Sequence, residues 1–182
     1  SFNLSQQFLE STFNFAKKNY PQYIESSPKF YKTKSKVAFE AHEAIRPIDI
    51  SITPDLVQDK IDKKFYKLYE LVWQRALASQ FKPLLYEEII LDIEVDKKYN
   101  FIKIGKNLIE EGFTKIYDIG FKEEQLPKDL KEGENMKIKE TNLEEKETKP
   151  PPRYNDGQLI KTLEAYAIGR PSTYASIIST LI

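Results

Sequence analysis

Across 182 residues, 28 Lys and Arg balance 28 Asp and Glu, so the chain carries no formal net charge. That balance excludes a protein that coats nucleic acid by bulk positive charge, but not a local basic groove, because steering follows the distribution of charge rather than its sum. The chain has no cysteine, which removes disulfides, thiolate zinc sites and cysteine nucleophiles, and no apolar run approaches a membrane span.

No secretory leader is recognisable, so a cytoplasmic protein without a membrane partner is expected. With 11 Tyr and 11 Phe there is ample core material for one large domain or two small ones. The chain starts at Ser1 and stops at Ile182 within an apolar, helix-like pattern. The expectation is a piece excised from a longer protein.

Residues 3–20 read as a helix, with Asn3 or Ser5 as cap and Leu4, Phe8, Phe15 and Ala16 near one stripe. Pro21 stops it. Residues 21–38 are polar and read as a loop, with a short strand at Phe30-Tyr31. The stretch from Phe39 to Pro47 is irregular or a single helical turn. Ile48, Ile50 and Ile52 alternate as a brief extended segment.

Thr53-Pro54-Asp55 starts a helix, proline being suited to its first turn. Leu56, Ile61, Phe65, Leu68, Tyr69, Val72, Trp73, Ala76 and Leu77 recur at intervals of mostly three and four. This is the strongest periodic signal in the chain and predicts one helix to about Gln80.

The pattern then changes to alternation. Ile89, Leu91, Ile93 and Val95 predict a strand, 96–100 a turn, and Phe101, Ile102 and Ile104 a second strand. Gly105-Lys106-Asn107 reads as another turn, Leu108-Ile109 as a third strand, and Met136-Ile138 as one more. The Lys- and Glu-rich stretch 121–147 reads as solvated surface. Lys149 to Tyr154, with three prolines, is a stiff connector. Asn155 or Asp156 then caps a helix, Gly169 ends it in a left-handed position, and Ser172 or Thr173 caps a second helix beyond Pro171. Two helices across a Gly-containing turn resemble a helix-turn-helix fragment.

Two polar knots carry chemistry. The first, Glu40-Ala41-His42-Glu43-Ala44-Ile45-Arg46-Pro47, holds the only histidine of the chain. An imidazole tunable near neutrality, flanking carboxylates and a guanidinium fork can bind a phosphate or relay a proton; an equally simple reading is structural. In the second, Gly169-Arg170-Pro171-Ser172-Thr173-Tyr174, hydroxyls and backbone amides at a helix start can face an anion, with Arg170 supplying charge. The plain alternative is a capped Gly-Pro corner. No paired-carboxylate metal motif, Gly-rich phosphate loop or Ser/His/Asp set is present.

At these knots the sequence resembles a known family. Glu40 to Pro47 is similar to the signature that follows the catalytic tyrosine in type IA DNA topoisomerases, the bacterial topoisomerase I branch. Leu68 to Gln80 resembles the family's next helix. Pro151-Pro152-Arg153-Tyr154 and Gly169 to Ile178 resemble its later block. The four matches fall in the family's order over nearly the whole chain.

The resemblance implies an α+β fragment of a toroidal enzyme. Residues 1–80 are the strand-gate domain beyond its tyrosine, 81–148 part of the β-rich hinge domain of the arch, and 149–182 the start of a helical, winged-helix-like DNA-groove domain. It implies an ATP-independent isomerase that relaxes negatively supercoiled DNA. A tyrosine cuts one strand, is left joined to the 5′-phosphate, and the other strand passes through the gap. Mg²⁺ is held by acidic residues of a Toprim domain, with no metal site in these residues.

Ser1-Phe2-Asn3-Leu4-Ser5 resembles the end of the Arg-Thr-Asp-Ser run that follows the nucleophile. The catalytic tyrosine is therefore expected before Ser1, and the 182 residues alone are expected not to cleave. His42 matches the histidine that assists cleavage. Arg46 belongs to the same motif, and Arg170, Ser172, Thr173 and Tyr174 match the block that lines the single-strand groove; all five are expected to bind DNA. Single-stranded and negatively supercoiled DNA are the implied partners of a monomer associated with the nucleoid. The topoisomerase half of a reverse gyrase, a non-catalytic DNA-binding module of the same fold, and a purely structural arch are the alternatives.

Overall fold

The computed structural model describes residues 4–31, 43–127 and 129–181. They form an α+β chain that divides into two compact units, Ser1–Leu130 and Lys131–Ile182.

The first unit opens with α1 (Gln6–Asn19). Ser5 is its cap: the hydroxyl accepts the Phe8 N–H, satisfying one of the free donors of the first turn. Lys17 and Lys18 sit in the last turn, where positive charge suits the helix dipole. A 3-10 turn at Pro21–Tyr23 follows. Phe30 and Tyr31 form no strand; Tyr31 instead donates its hydroxyl to the Ser79 carbonyl at 2.6 Å. The alternating isoleucines at 48, 50 and 52 also form no strand. Ile50 is buried at 2% exposure while Ile48 stands 94% exposed, so alternation here marks a single anchor in a turn.

The long helix expected from Thr53 to Gln80 is two helices, α2 (Pro54–Val57) and α3 (Lys63–Ala78). Leu56 and Ile61 are five apart, which breaks the helical period, and Asp62 adopts extended backbone as the cap of α3. The inner face of α3 packs Trp73, Ala76 and Leu77 against Phe8 and Ala16 of α1 and against Ile24, Ile50 and Phe81. Trp73 donates its indole N–H to the Ile50 carbonyl at 2.8 Å. Phe15 meets Trp73 edge to face at 6.1 Å, a preferred aromatic geometry.

Beyond α3 the chain turns into an antiparallel hairpin of β1 (Leu85–Val95) and β2 (Tyr99–Glu110). Asp96 and Lys97 both take positive φ in the connecting turn, as tight hairpins require. The turn expected at 105–107 and the third strand after it are absent, because β2 runs straight through them. Gly105 serves close approach instead: a Cβ there would lie 2.5 Å from Leu126 Cγ. Leu126 belongs to the segment that bridges to β2 through Lys106 and Glu124. Gly112 has φ +53, and a Cβ on it would come within 2.1 Å of the Pro83 carbonyl oxygen, so the end of the hairpin lies directly on its beginning.

In the second unit no strand forms at Met136–Ile138; both residues are exposed, and among the described residues no strand pairs with them. The unit contains α4 (Asp156–Ala165) and α5 (Pro171–Leu181). Asn155 and Gln158 form a reciprocal capping box at the start of α4. Among the described residues no helix is long and apolar enough to cross a membrane.

Gln80 is a buried polar residue, at 1% exposure. Its Oε1 accepts the Lys29 N–H at 2.9 Å and its Nε2 donates to the Lys29 carbonyl at 3.3 Å. Gln80→Leu leaves both backbone groups unpaired. Urea unfolding followed by Trp73 fluorescence is expected to show a loss of about 2 kcal/mol; a loss under about 0.5 kcal/mol refutes this role.

Candidate functional site

Phe39, Glu40, Ala41 and His42 lie outside the described residues. The first knot is therefore seen from Glu43 onward. Glu43 Oε1 accepts the backbone N–H of Ser5 at 2.6 Å, across 38 positions of sequence. The same carboxylate takes Arg46 in a two-pronged pair, Nε to Oε1 at 2.6 Å and Nη2 to Oε2 at 3.1 Å. Arg46 Nη1 donates to the Pro47 carbonyl at 3.1 Å and to that of Ile48 at 3.4 Å. Its guanidinium carbon stands 4.5 Å from the centre of the Phe8 ring, a cation–π contact with a core residue.

These contacts set the electrostatics. The hydrogen bond from Arg46, then that from the Ser5 backbone, pull the Glu43 carboxyl down from 4.5 to about 2. Glu43 is thus a firm anion, and the pair with Arg46 is close to neutral. Downstream, the Trp73 and Tyr69 side chains donate to the Ile50 and Ile52 carbonyls, so α3 holds the segment that follows Arg46.

A cavity of about 660 Å³ opens beside this segment, lined among others by Leu4, Lys29, Ala44, Ile45 and Arg75. Both cations are engaged: Lys29 Nζ donates to the Phe81 carbonyl, and Arg75 lies over the Tyr117 ring at 5.0 Å.

The second knot lies in the other compact unit. Gly169 has φ +76, and a Cβ on it would press on Ile177, Tyr174 and Thr173 at 3.0–3.3 Å. Only glycine suits this left-handed corner. Pro171 is the first residue of α5, so the helix starts earlier than a Ser172 or Thr173 cap would place it. Thr173 acts from inside the first turn: its hydroxyl accepts the Arg170 N–H at 2.8 Å and faces the Arg170 carbonyl at 3.0 Å. The Arg170 guanidinium donates to the Gly169 carbonyl at 2.7 Å. Ser172 is exposed and Tyr174 half-buried. The corner thus sets a fixed arginine beside a helix N-terminus, where backbone N–H groups and the dipole favour an anion.

Arg170, Ser172, Thr173 and Tyr174 are thus brought together, and Arg46 belongs to the first unit. Sequence reasoning missed the role of Phe8 as a platform for Arg46; an apolar residue on a helical stripe gives no signal of it. The three-residue spacing of Glu43 and Arg46 does signal their pairing. Among the described residues no group of three or more His, Cys, Asp or Glu could hold a metal ion.

A family model for DNA topoisomerases matches residues 1–182. The chain is 43% identical over 171 residues to DNA topoisomerase 1 of Rickettsia felis, covering 90% of this chain and 22% of that protein. It is 38% identical over 191 residues to DNA topoisomerase 1 of Xylella fastidiosa, covering all of this chain and 23% of that one. Full-length topoisomerase I from Thermotoga maritima superposes with a TM-score of 0.74 at 31% identity, over 99% of this chain and 28% of that structure. The chain therefore spans about a fifth of the length of the curated relatives it matches.

The depressed carboxyl of Glu43 makes a pH prediction. Its folded value lies below its ordinary one, so the stabilisation is fully present above 4.5 and is lost as pH falls through about 2. Glu43→Gln should lower the thermal midpoint at neutral pH and converge on the wild type as pH falls through that window. Parallel curves for the two proteins down to the lowest pH contradict it.

Proposed function

The chain belongs to the DNA topoisomerase family, and from that premise we propose that it is the gate, hinge and groove portion of a type IA enzyme. The whole protein, on this reading, relaxes negatively supercoiled DNA without ATP. It does so by transient cleavage of one strand through a 5′-phosphotyrosine and passage of the other strand. The observation that carries the proposal is that likeness to topoisomerases runs through the whole chain, in sequence and in three dimensions.

Residues 1–80 are assigned to the strand gate, 81–148 to the β-rich hinge and 149–182 to the start of the DNA groove. The nucleophilic tyrosine is assigned to the segment before Ser1, and the Mg²⁺ of the enzyme to a Toprim domain outside these residues. The location that follows is the cytoplasm, on the nucleoid, as a monomer.

The residues of this chain bind and position. Arg170, Ser172, Thr173 and Tyr174 are assigned to the single-strand groove. A cation beside the N-terminus of α5 suits a phosphate, and Thr173 keeps the corner in register through Arg170. His42 is assigned to the scissile phosphate, where an imidazole steadies charge as the bond breaks. Arg46, in the same motif, already gives its N–H groups to Glu43 and to two carbonyls.

Two measurements test this reading. Fluorescence anisotropy of the 182-residue chain should show salt-sensitive binding that prefers single-stranded to duplex oligonucleotides and weakens with Arg170→Ala. Equal affinity for both forms, untouched by the substitution, contradicts the groove assignment. In the full-length protein, His42→Ala should slow cleavage by on the order of 10² to 10³ with the melting temperature unchanged. Wild-type relaxation in that variant removes His42 from the reaction.

A further inference from the structure

The Glu43–Arg46 pair stands apart from the groove residues because it joins two distant parts of the chain. Ser5 heads α1, and the segment running back from it reaches Ser1 in four residues. Glu43 follows His42 directly in sequence. A single carboxylate ties these two places together, accepting the Ser5 N–H and gripping Arg46 on both oxygens. Arg46 in turn rests on Phe8, which is 4% exposed and belongs to the core built with α3. Its remaining bonds close the backbone at Pro47 and Ile48. Pro47 is buried, which fixes the exit of the segment.

We propose that Glu43 and Arg46 form a positioning clamp that registers the segment from Glu43 to Ile48 against the start of α1, and that Arg46 serves strand cleavage through this clamp rather than as a phosphate ligand. The inference rests on the topoisomerase reading and deepens it.

Charge decides between the two roles. A phosphate ligand must bring net positive charge to the strand, because binding driven by phosphate contacts comes from neutralised phosphates and released counterions. The Arg46 charge is matched by Glu43 at hydrogen-bonding distance. Turning Arg46 toward DNA would break a two-pronged ionic pair and leave a carboxylate facing a phosphate. The bond set also leaves little of the guanidinium to offer, since both Nε and Nη2 are on Glu43 and Nη1 is on two carbonyls.

A lysine at this position keeps the charge but cannot bridge both carboxylate oxygens while lying flat on a ring. Displacement of reacting groups by an ångström can cost about a hundredfold in rate, so a clamp that touches no substrate still governs cleavage.

The test uses Glu43→Gln, Arg46→Lys and Arg46→Ala in the full-length protein, with a single-stranded oligonucleotide as substrate. Cleavage should fall about tenfold or more in Glu43→Gln and Arg46→Ala, with Arg46→Lys between them and the wild type. Oligonucleotide affinity should change less than about twofold, and its dependence on salt should be unchanged. A salt slope reduced by about one unit in Arg46→Ala makes Arg46 a phosphate ligand and overturns the proposal. So does cleavage at the wild-type rate in Glu43→Gln.

A second readout needs no activity. In NMR spectra, Glu43→Gln should move the Ser5 amide signal while the Trp73 indole signal, reporting the fold, stays in place. If the Ser5 amide does not move, Glu43 does not hold the start of α1 and the proposal fails. If the wild-type full-length protein does not cleave single strands, the topoisomerase reading fails on its own, and the Ser5 amide signal still decides whether the clamp exists.

Discussion

The first compact unit depends on the buried side-chain amide of Gln80. A two-sided pairing with the Lys29 backbone lets a loop residue be treated as if it faced a strand. Around it the stretch 79–83 works as a joint. Ser79 takes the Tyr31 hydroxyl, Phe81 takes Lys29 Nζ, and the Lys82 N–H donates to the Tyr23 carbonyl at 2.6 Å. The Lys82 carbonyl then accepts the Phe113 N–H, and Gly112 leaves room for Pro83. The stretch that follows α1 and both ends of the hairpin meet within these residues. A buried polar group so fully engaged specifies one arrangement, because any slip leaves donors and acceptors unpaired away from water.

The Glu43–Arg46 clamp uses the same logic with charge. Where Gln80 holds a loop to the end of α3, Glu43 holds the 43–48 segment to the start of α1. Both devices draw on the one core, through Phe81 and Phe8. The core is small, and much apolar surface remains outside it: Phe65 and Leu68 on α3 and Ile90 and Ile102 on the hairpin are each more than half exposed. The polar connections therefore carry a large share of the specificity of this unit.

The second unit shows how a corner can be fixed by few residues. The Asn155 capping box starts α4, and Gly169 with its positive φ redirects the chain. Thr173 ties the first turn of α5 back onto Arg170. Each device satisfies the free backbone groups of a helix end, so the corner needs little burial to hold its shape.

Local chemistry alone determined a good part of this. Ser5 capping α1, the hairpin turn near Asp96, Asn155 opening α4 and Gly169 ending the corner were legible because each depends on residues close in sequence. The resemblance of the polar knots to topoisomerases was legible too, since it rests on residue identity and order.

Tertiary structure decided what depends on distant partners. Gly105 signals a turn by itself, yet it sits mid-strand because Leu126 needs its space. Ile48 and Ile52 alternate like a strand, but among the described residues no second strand pairs with them. Met136 and Ile138 fail for the same reason. The break between α2 and α3 was visible in the five-residue interval from Leu56 to Ile61, and the strength of the surrounding period concealed it. Arg46 looked like a fork for phosphate. Its spacing from Glu43 signalled one partner, but the Phe8 ring became known only when the fold brought α1 beside it, because a side chain's charge is fixed by sequence and a distant partner is fixed by space.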